Sequence, residues 1–309
     1  MIRLLACKRW PTKMSDRKNV WKMVPGTTVG SALNFAKQRI DGTGCATSHL
    51  DAQVILAYVL GVERTWLFAH YDYQLTAEQA NAYTALIARR MAHEPVAYLV
   101  GRKEFYGLEF IVDRRTLIPR PETELLVDAV LDQAEAYDDV PVRIADIGTG
   151  SGAIALAVAT NCPHAIVYAV DLSKDALEVA HQNIARLDER SQVTLLHGDL
   201  LQPLPECVDI IVANLPYISQ RDYCTLDADV RDYEPQLALE AGPEGLDAIA
   251  RLLRQAPQWL NRNGVIYLEI GADQGAAVLA LVKAQLPYAR GVSLRQDYSG
   301  RDRLVTIAL

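Results

Sequence analysis

The chain reads as an α/β protein: a mostly parallel sheet with helices on both faces, preceded by a small helical domain and joined to it by a β-hairpin. Three observations lead there. From Val142 onward, short apolar runs of strand length alternate with segments of helical spacing, the pattern of a parallel sheet covered on both sides. Residues 28–92 carry helical periodicity alone. Between them, Glu104 to Ile118 gathers aromatic and β-branched residues around Gly107, which is hairpin chemistry.

In the helical part, Gly30-Ser31-Ala32-Leu33 opens an amphipathic stretch. Ser48 is placed to cap a helix from His49 to Leu60 that stops at Gly61, and Thr76-Ala77-Glu78-Gln79 has the form of a capping box for a long helix through Arg90. After the hairpin, Pro119 and Pro121 fix an extended entry to a helix from Leu125 to Ala136. Strands are expected at Arg143–Ile147, Ala165–Val170, Val193–His197, Val208–Ala213 and Val265–Ile270, with helices near 152–160, 173–187 and 244–260. Val292–Arg295 and Leu304–Ala308 flank a polar turn and predict a terminal hairpin. The resulting division is a basic extension (1–25), a helical domain (26–100), a hairpin linker (101–121) and the α/β domain (122–309).

Composition narrows the function. Half of the 309 residues are apolar, yet no run approaches the length of a membrane-spanning helix, so no membrane partner is expected. The five cysteines (Cys7, Cys45, Cys162, Cys207, Cys224) are scattered without a C-x-x-C pair, which suits neither a disulfide framework nor a metal site and points to a reducing, cytoplasmic setting. Net charge is −7, but residues 1–23 carry seven basic residues against Asp16, leaving −13 for the rest. A body that acidic is a poor general binder of nucleic acid, whose sequence-independent affinity comes from Lys and Arg on phosphates. The basic leader has no apolar core of a secretory signal. It is expected to be a disordered extension, or an over-long start with Met14 or Met23 as the true one.

The ends of the strands carry the chemistry, because ligands of a parallel α/β sheet bind outside the carboxyl ends. The first strand ends in Asp146-Ile147-Gly148-Thr149-Gly150-Ser151-Gly152 and runs straight into a helix. Alternate glycines let the backbone turn tightly against a ligand, a pattern open to NAD or to S-adenosylmethionine (SAM). Asp171, ending the second strand, is placed to accept both hydroxyls of an adenosine ribose, while Ser173 is better placed to cap the next helix. Gly198-Asp199 ends the third, where a carboxylate meets an adenine amino group and Leu200 offers an apolar wall. The fourth ends in Asn214-Leu215-Pro216-Tyr217. An amide nitrogen is a feeble nucleophile, its lone pair being delocalised. The Asn214 side-chain oxygen and the Leu215 carbonyl can accept its two N–H groups while Tyr217 stacks on its plane, which is of use to a nitrogen methyltransferase and of none to a dehydrogenase.

These residues resemble the bacterial HemK/PrmC family of protein-(glutamine-N5) methyltransferases. The likeness runs from about Gly30 to the C-terminus. It is carried by Glu94-Pro95-Val96-Ala97-Tyr98, Leu117-Ile118-Pro119-Arg120-Pro121-Glu122-Thr123-Glu124, the Asp146–Gly152 loop, Asp229-Val230-Arg231-Asp232-Tyr233-Glu234-Pro235, Leu237-Ala238-Leu239 and Gly300-Arg301-Asp302-Arg303. The resemblance implies a Rossmann-like class I SAM-dependent methyltransferase with a seven-stranded sheet and an antiparallel C-terminal strand. It further implies SAM as cofactor, S-adenosylhomocysteine as product, and the Gln of the Gly-Gly-Gln loop of class I peptide chain release factors as acceptor, in a monomer with no stable nucleic-acid partner. Gly148 to Gly152, Asp171, Asp199, Leu200 and Asn214 would hold the cofactor. Asn214 to Tyr217 would act on the substrate. Arg120, Glu122 and Thr123 would sit near the cofactor pocket, help close it and bind substrate, and the helical domain would recognise the release factor. Arg231 and Glu234 are expected either to shape the loop after the fourth strand or to pair with each other. Glu124 reads as a solvated first-turn acid as readily as a functional one.

One residue departs from the family. Position 215 is ordinarily Pro, and Asn-Leu-Pro-Tyr is the spelling of ribosomal RNA adenine-N6 dimethyltransferases. That keeps adenine in RNA or DNA as an alternative acceptor, and a cofactor-holding protein without catalysis as a third reading. The remaining blocks favour glutamine.

Overall fold

A computed structural model describes residues 23–137 and 140–309, so the basic leader through Lys22 lies outside the described residues. The chain divides into two compact units, one ending at Ala88 and one from Arg89 to Leu309.

The first unit contains α1 (Val29–Asp41), α2 (Ser48–Leu60), α3 (Arg64–Ala69) and most of α4 (Ala77–Met91). Thr28 caps α1 by accepting the Ser31 N–H, and Thr76 and Gln79 form the expected reciprocal capping box at 3.3 and 2.9 Å. Ser48 is the first residue of α2 rather than its cap. Its hydroxyl donates to the Asp41 carboxylate instead, and Thr47 occupies the cap position without a side-chain bond. Gly61 ends α2 in the left-handed region, as expected of its residue type. Leu33, Ile40, Ile55, Leu56, Leu67 and Tyr83 close the core, and the buried Tyr83 hydroxyl donates to the Ala52 carbonyl at 2.9 Å.

The second unit opens with α5 (Val96–Val100) and a hairpin of β1 (Arg102–Phe105) and β2 (Leu108–Ile111). The two-residue turn puts both Tyr106 (φ 51) and Gly107 (φ 73) at positive φ, the geometry that matches the twist of the strands. Its fastening comes from α6 (Glu124–Glu135): the Glu124 carboxylate accepts the Tyr106 N–H at 3.0 Å, and Tyr106 donates its hydroxyl to Asp128 at 2.8 Å. Glu124 is thus a clamp on the hairpin. A 3-10 turn, Pro121–Thr123, precedes α6.

The sheet follows as β3 (Val142–Ile147), α7 (Ala153–Asn161), β4 (Ala165–Asp171), α8 (Lys174–Leu187), β5 (Val193–His197) and β6 (Val208–Ala213). Two short helices, α9 (Gln220–Tyr223) and α10 (Ala228–Arg231), lead to α11 (Asp247–Trp259), β7 (Leu260–Glu269), α12 (Gly275–Gln285), β8 (Gly291–Gln296) and β9 (Asp302–Ala308). The order is β5-β4-β3-β6-β7-β9-β8, parallel from β5 to β7, with β9 antiparallel to both of its neighbours. The expected seven-stranded α/β sheet with an antiparallel last strand is present.

Alternation along the strands sorts the core into two layers. Ile144, Val167, Ile210 and Val265 join α6 and α7 on one face; Ala145, Val170, Ile211 and Ile266 join α11 and α12 on the other. The chain leaves β3 toward β4 on one side and returns to β6 on the other, so a crevice opens at the carboxyl ends of β3 and β6.

Candidate active site

The glycine loop occupies that crevice. Gly148, Gly150 and Gly152 have φ of 77°, 58° and 82°, so the three alternate glycines mark three left-handed residues that a side chain would strain. A Cβ on Gly148 would also stand 3.3 Å from Leu215 Cδ2. The loop's side chains serve the scaffold. Thr149 donates to Asp146 at 2.6 Å, the Ser151 carbonyl accepts from Asn183, and Gly152 lets α7 approach Ala180 of α8. Asp146 is 1% exposed, and its Oδ1 finds no hydrogen-bond partner among the described residues; burial pushes its carboxyl up to about 7.

A cavity of about 350 Å³ lies over the loop, within the range of small-molecule sites of roughly 300–1,000 Å³. Gly148 and Gly150 form its floor, Asp171 and Asp199 its polar side, Leu200 and Leu215 its apolar walls, and Asn214 and Pro216 its far end. Asp171 accepts the N–H groups of Gly150 and Ser173, each at 2.8 Å, which aims the carboxylate while leaving lone pairs for a ligand. Burial raises its pKa, against those backbone bonds. Ser173 caps α8 through the Ala176 N–H, as expected. Asp199 pairs with Arg251 at the same cavity, and Leu200 adopts φ 53, a strained value for a leucine that turns it inward.

A second cavity of about 170 Å³ adjoins the first, and Asn214, Leu117 and Ala238 line both. Arg120, Tyr217 and Glu269 line only the smaller. Asn214 donates through Nδ2 to Thr123 Oγ1 at 3.1 Å, and Thr123 donates to Glu269 Oε2 at 2.7 Å. Burial, above all, pushes the Glu269 carboxyl up to about 7 against the Thr123 bond and the charge of Arg303. Burial likewise pushes the Tyr217 phenol up to about 12, so it stays neutral. The Tyr217 carbonyl is held by Gln274 Nε2 at 2.9 Å.

Arg120 pairs with Glu234, which also accepts the Ile118 N–H at 3.1 Å. Of the two roles expected for Arg231 and Glu234, pairing with each other is not seen: Arg231 binds the adjacent Asp232 at 2.8 and 3.1 Å, and the buried Glu234 is committed to the proline segment. Glu122 is exposed and lines neither cavity, while Thr123 acts behind Asn214. Glu269, Arg251 and Gln274 were not foreseen, nor was Arg120 as the partner of Glu234. Each acts across tens of residues, and the one sequence signal was a polar residue closing an apolar run, as Glu269 closes β7.

Strand order, glycine loop and paired cavities define a class I methyltransferase. The hMettl16 catalytic domain, 16% identical, shares the fold over 72% of this chain and 81% of its own, with a TM-score of 0.53. Residues 31–101 match the family model of the PrmC N-terminal domain, and residues 121–228 that of the methyltransferase small domain. The release factor glutamine methyltransferase of Moorella thermoacetica is 43% identical over 277 residues, covering 89% of this chain and 96% of that protein. That of Cereibacter sphaeroides is 41% identical over 278 residues, covering 90% and 97%. The chain belongs to the release factor glutamine methyltransferase family, as its motifs led one to expect. Among the described residues no helix is long and apolar enough to cross a membrane.

Proposed function

We propose that the chain transfers a methyl group from SAM to the side-chain amide N5 of the glutamine in the Gly-Gly-Gln motif of class I peptide chain release factors, tuning translation termination in the cytoplasm. The observation that carries this reading is the place of Asn214, on the wall common to the two cavities with its Nδ2 already bonded to Thr123. Its Oδ1 is thereby the end left for an acceptor amide.

The larger cavity fits SAM: a side-chain-free floor at Gly148 and Gly150, and carboxylates at Asp171 and Asp199 suited to ribose hydroxyls and an adenine amine, with Leu200 beside the base. Bound there, SAM supplies an electrophilic methyl on a sulfonium. The chain's own part is to hold the nitrogen. Asn214 Oδ1 and the Leu215 carbonyl accept its two N–H groups, and Tyr217 packs on the amide plane, so the delocalised lone pair is presented in one orientation. Hydrogen bonds from the amide to these oxygens strengthen as its nitrogen becomes more positive, which favours the transition state. We assign recognition of the release factor protein to the helical segment 26–100, with 101–121 as its linker to the catalytic part.

The adenine reading rests on Leu215. That side chain lines the larger cavity, packed on Gly148, and not the smaller one. The difference from Pro therefore bears on the cofactor side more than on the acceptor, which supports glutamine. The test is to incubate purified protein and labelled SAM with a class I release factor and, separately, with adenine-bearing RNA. Label in the release factor supports the proposal; label in RNA, lost steeply with added salt, overturns it.

A further inference from the structure

An amide side chain has nearly the same shape either way round, so only its hydrogen-bond partners decide which end faces a substrate. For Asn214 that choice is made at Thr123 and at the Glu269 carboxylate, which the Asn214 side chain also hydrogen-bonds. The Thr123 hydroxyl has a single proton. Donating it to Glu269 Oε2 at 2.7 Å leaves the Thr123 oxygen as an acceptor, which Asn214 Nδ2 satisfies at 3.1 Å. Thr123 and Glu269 are 5% and 2% exposed, so bulk water does not compete for these bonds. The chain of bonds joins the 3-10 turn before α6, the end of β6 and the end of β7, with Asn214 and Glu269 lining the smaller cavity and Thr123 behind them.

We propose that Glu269 is a positioning residue of the transfer reaction, setting the polarity of the Asn214 amide directly and through Thr123 so that Oδ1, not Nδ2, faces the acceptor. The inference rests on the transfer proposed above, since an acceptor amide needs an oxygen opposite its N–H groups. It also assigns opposite outcomes to the two protonation states of Glu269. Ionised, Glu269 only accepts, and the relay runs Asn214 to Thr123 to Glu269. Protonated, it donates to Thr123 Oγ1, the Thr123 proton turns to Asn214, and the amide reverses to bring Nδ2 against the substrate N–H.

The groups facing Glu269 set the balance. Arg303 on β9 favours the ionised form, Glu122 on the 3-10 turn opposes it, and the neutral Tyr217 lies on the same cavity, near Arg120. Burial outweighs them and holds the carboxyl well above its ordinary range, up to about 7.

The experiment measures kcat and KM for methyl transfer from SAM to an intact class I release factor across pH, with SAM binding and melting temperature as controls for folding. Thr123→Val, which keeps shape and removes the relay, is expected to lower kcat by about tenfold or more while SAM affinity stays within about twofold. Thr123→Ser, which restores the hydroxyl, is expected to recover most of the lost rate. The wild type is expected to lose rate on the acid side with a midpoint near 7, and Glu269→Gln to lose that limb. Thr123→Val turning over within about twofold of the wild type, or an acid limb unchanged in Glu269→Gln, overturns the relay. A wild type that methylates no release factor overturns the transfer reading and the relay with it. A wild type that does, matched by Thr123→Val, overturns the relay alone.

Discussion

Arg120 is paired with the buried carboxylate of Glu234 across 114 positions of sequence, and the same carboxylate takes the N–H of Ile118 at 3.1 Å. Two of the chain's most distinctive blocks, the proline segment and the loop after β6, are thereby fastened to each other at the wall of the smaller cavity. Removing one partner leaves a carboxylate that is already held above its ordinary pKa by burial. Arg120→Ala is therefore expected to cost about 1–3 kcal/mol in chemical denaturation, and Glu234→Gln less, since it keeps a hydrogen-bonding oxygen. A change below roughly 0.5 kcal/mol for Arg120→Ala would mean the pair is incidental.

Leu215 packs over the glycine floor, its Cδ2 at 3.3 Å from where a Cβ of Gly148 would stand. Gly148→Ala meets both that contact and a φ of 77°, a strain of about 1–2 kcal/mol, and should weaken SAM binding by roughly tenfold in calorimetry. Leu215→Pro acts the other way. The 215 carbonyl is retained and φ becomes fixed, so transfer to a release factor should be preserved or improved. Complete loss of transfer in Leu215→Pro would mean that the tetrapeptide has been misassigned.

Stability should fall as pH rises toward neutrality. Burial raises the carboxyls of Asp146 and Glu269 to about 7, against about 4 for an unfolded carboxyl. Between those values the folded state binds more protons than the unfolded one, so the free energy of unfolding decreases with pH over roughly 4 to 7 and levels off above. Burial raises Asp171 and Glu234 in the same direction. Asp146→Asn removes one of these groups and should flatten the slope, read from denaturation midpoints across that window. An unchanged slope would show that Asp146 is ionised in the fold.

Strand ends were legible because a parallel sheet forces its ligand sites there. The run Asp146–Gly152 and the tetrapeptide at Asn214 needed only local pattern, and both fall at the crevice between β3 and β6. What escaped was what depends on distance. Glu269 and Glu234 owe their burial and their partners to elements 146 and 116 positions away, and an acidic residue alone does not announce that it is buried. The helix α12 escaped for another reason: Gly275 to Gln285 is alanine-rich and nearly uniform, without an apolar stripe to count. Ser48 shows the limit of cap chemistry, since a serine at a helix start serves whichever acceptor the fold brings, here Asp41.

Asn214 is proposed above to hold a release factor glutamine amide for methyl transfer. Mass spectrometry of the Gly-Gly-Gln peptide from a class I release factor, after incubation with SAM and either wild type or Asn214→Ala, tests it most directly. One added methyl group is expected on the glutamine with the wild type and almost none with Asn214→Ala, while the variant still binds SAM measurably. An unmodified glutamine with the SAM-binding wild type, or full methylation by Asn214→Ala, would contradict it.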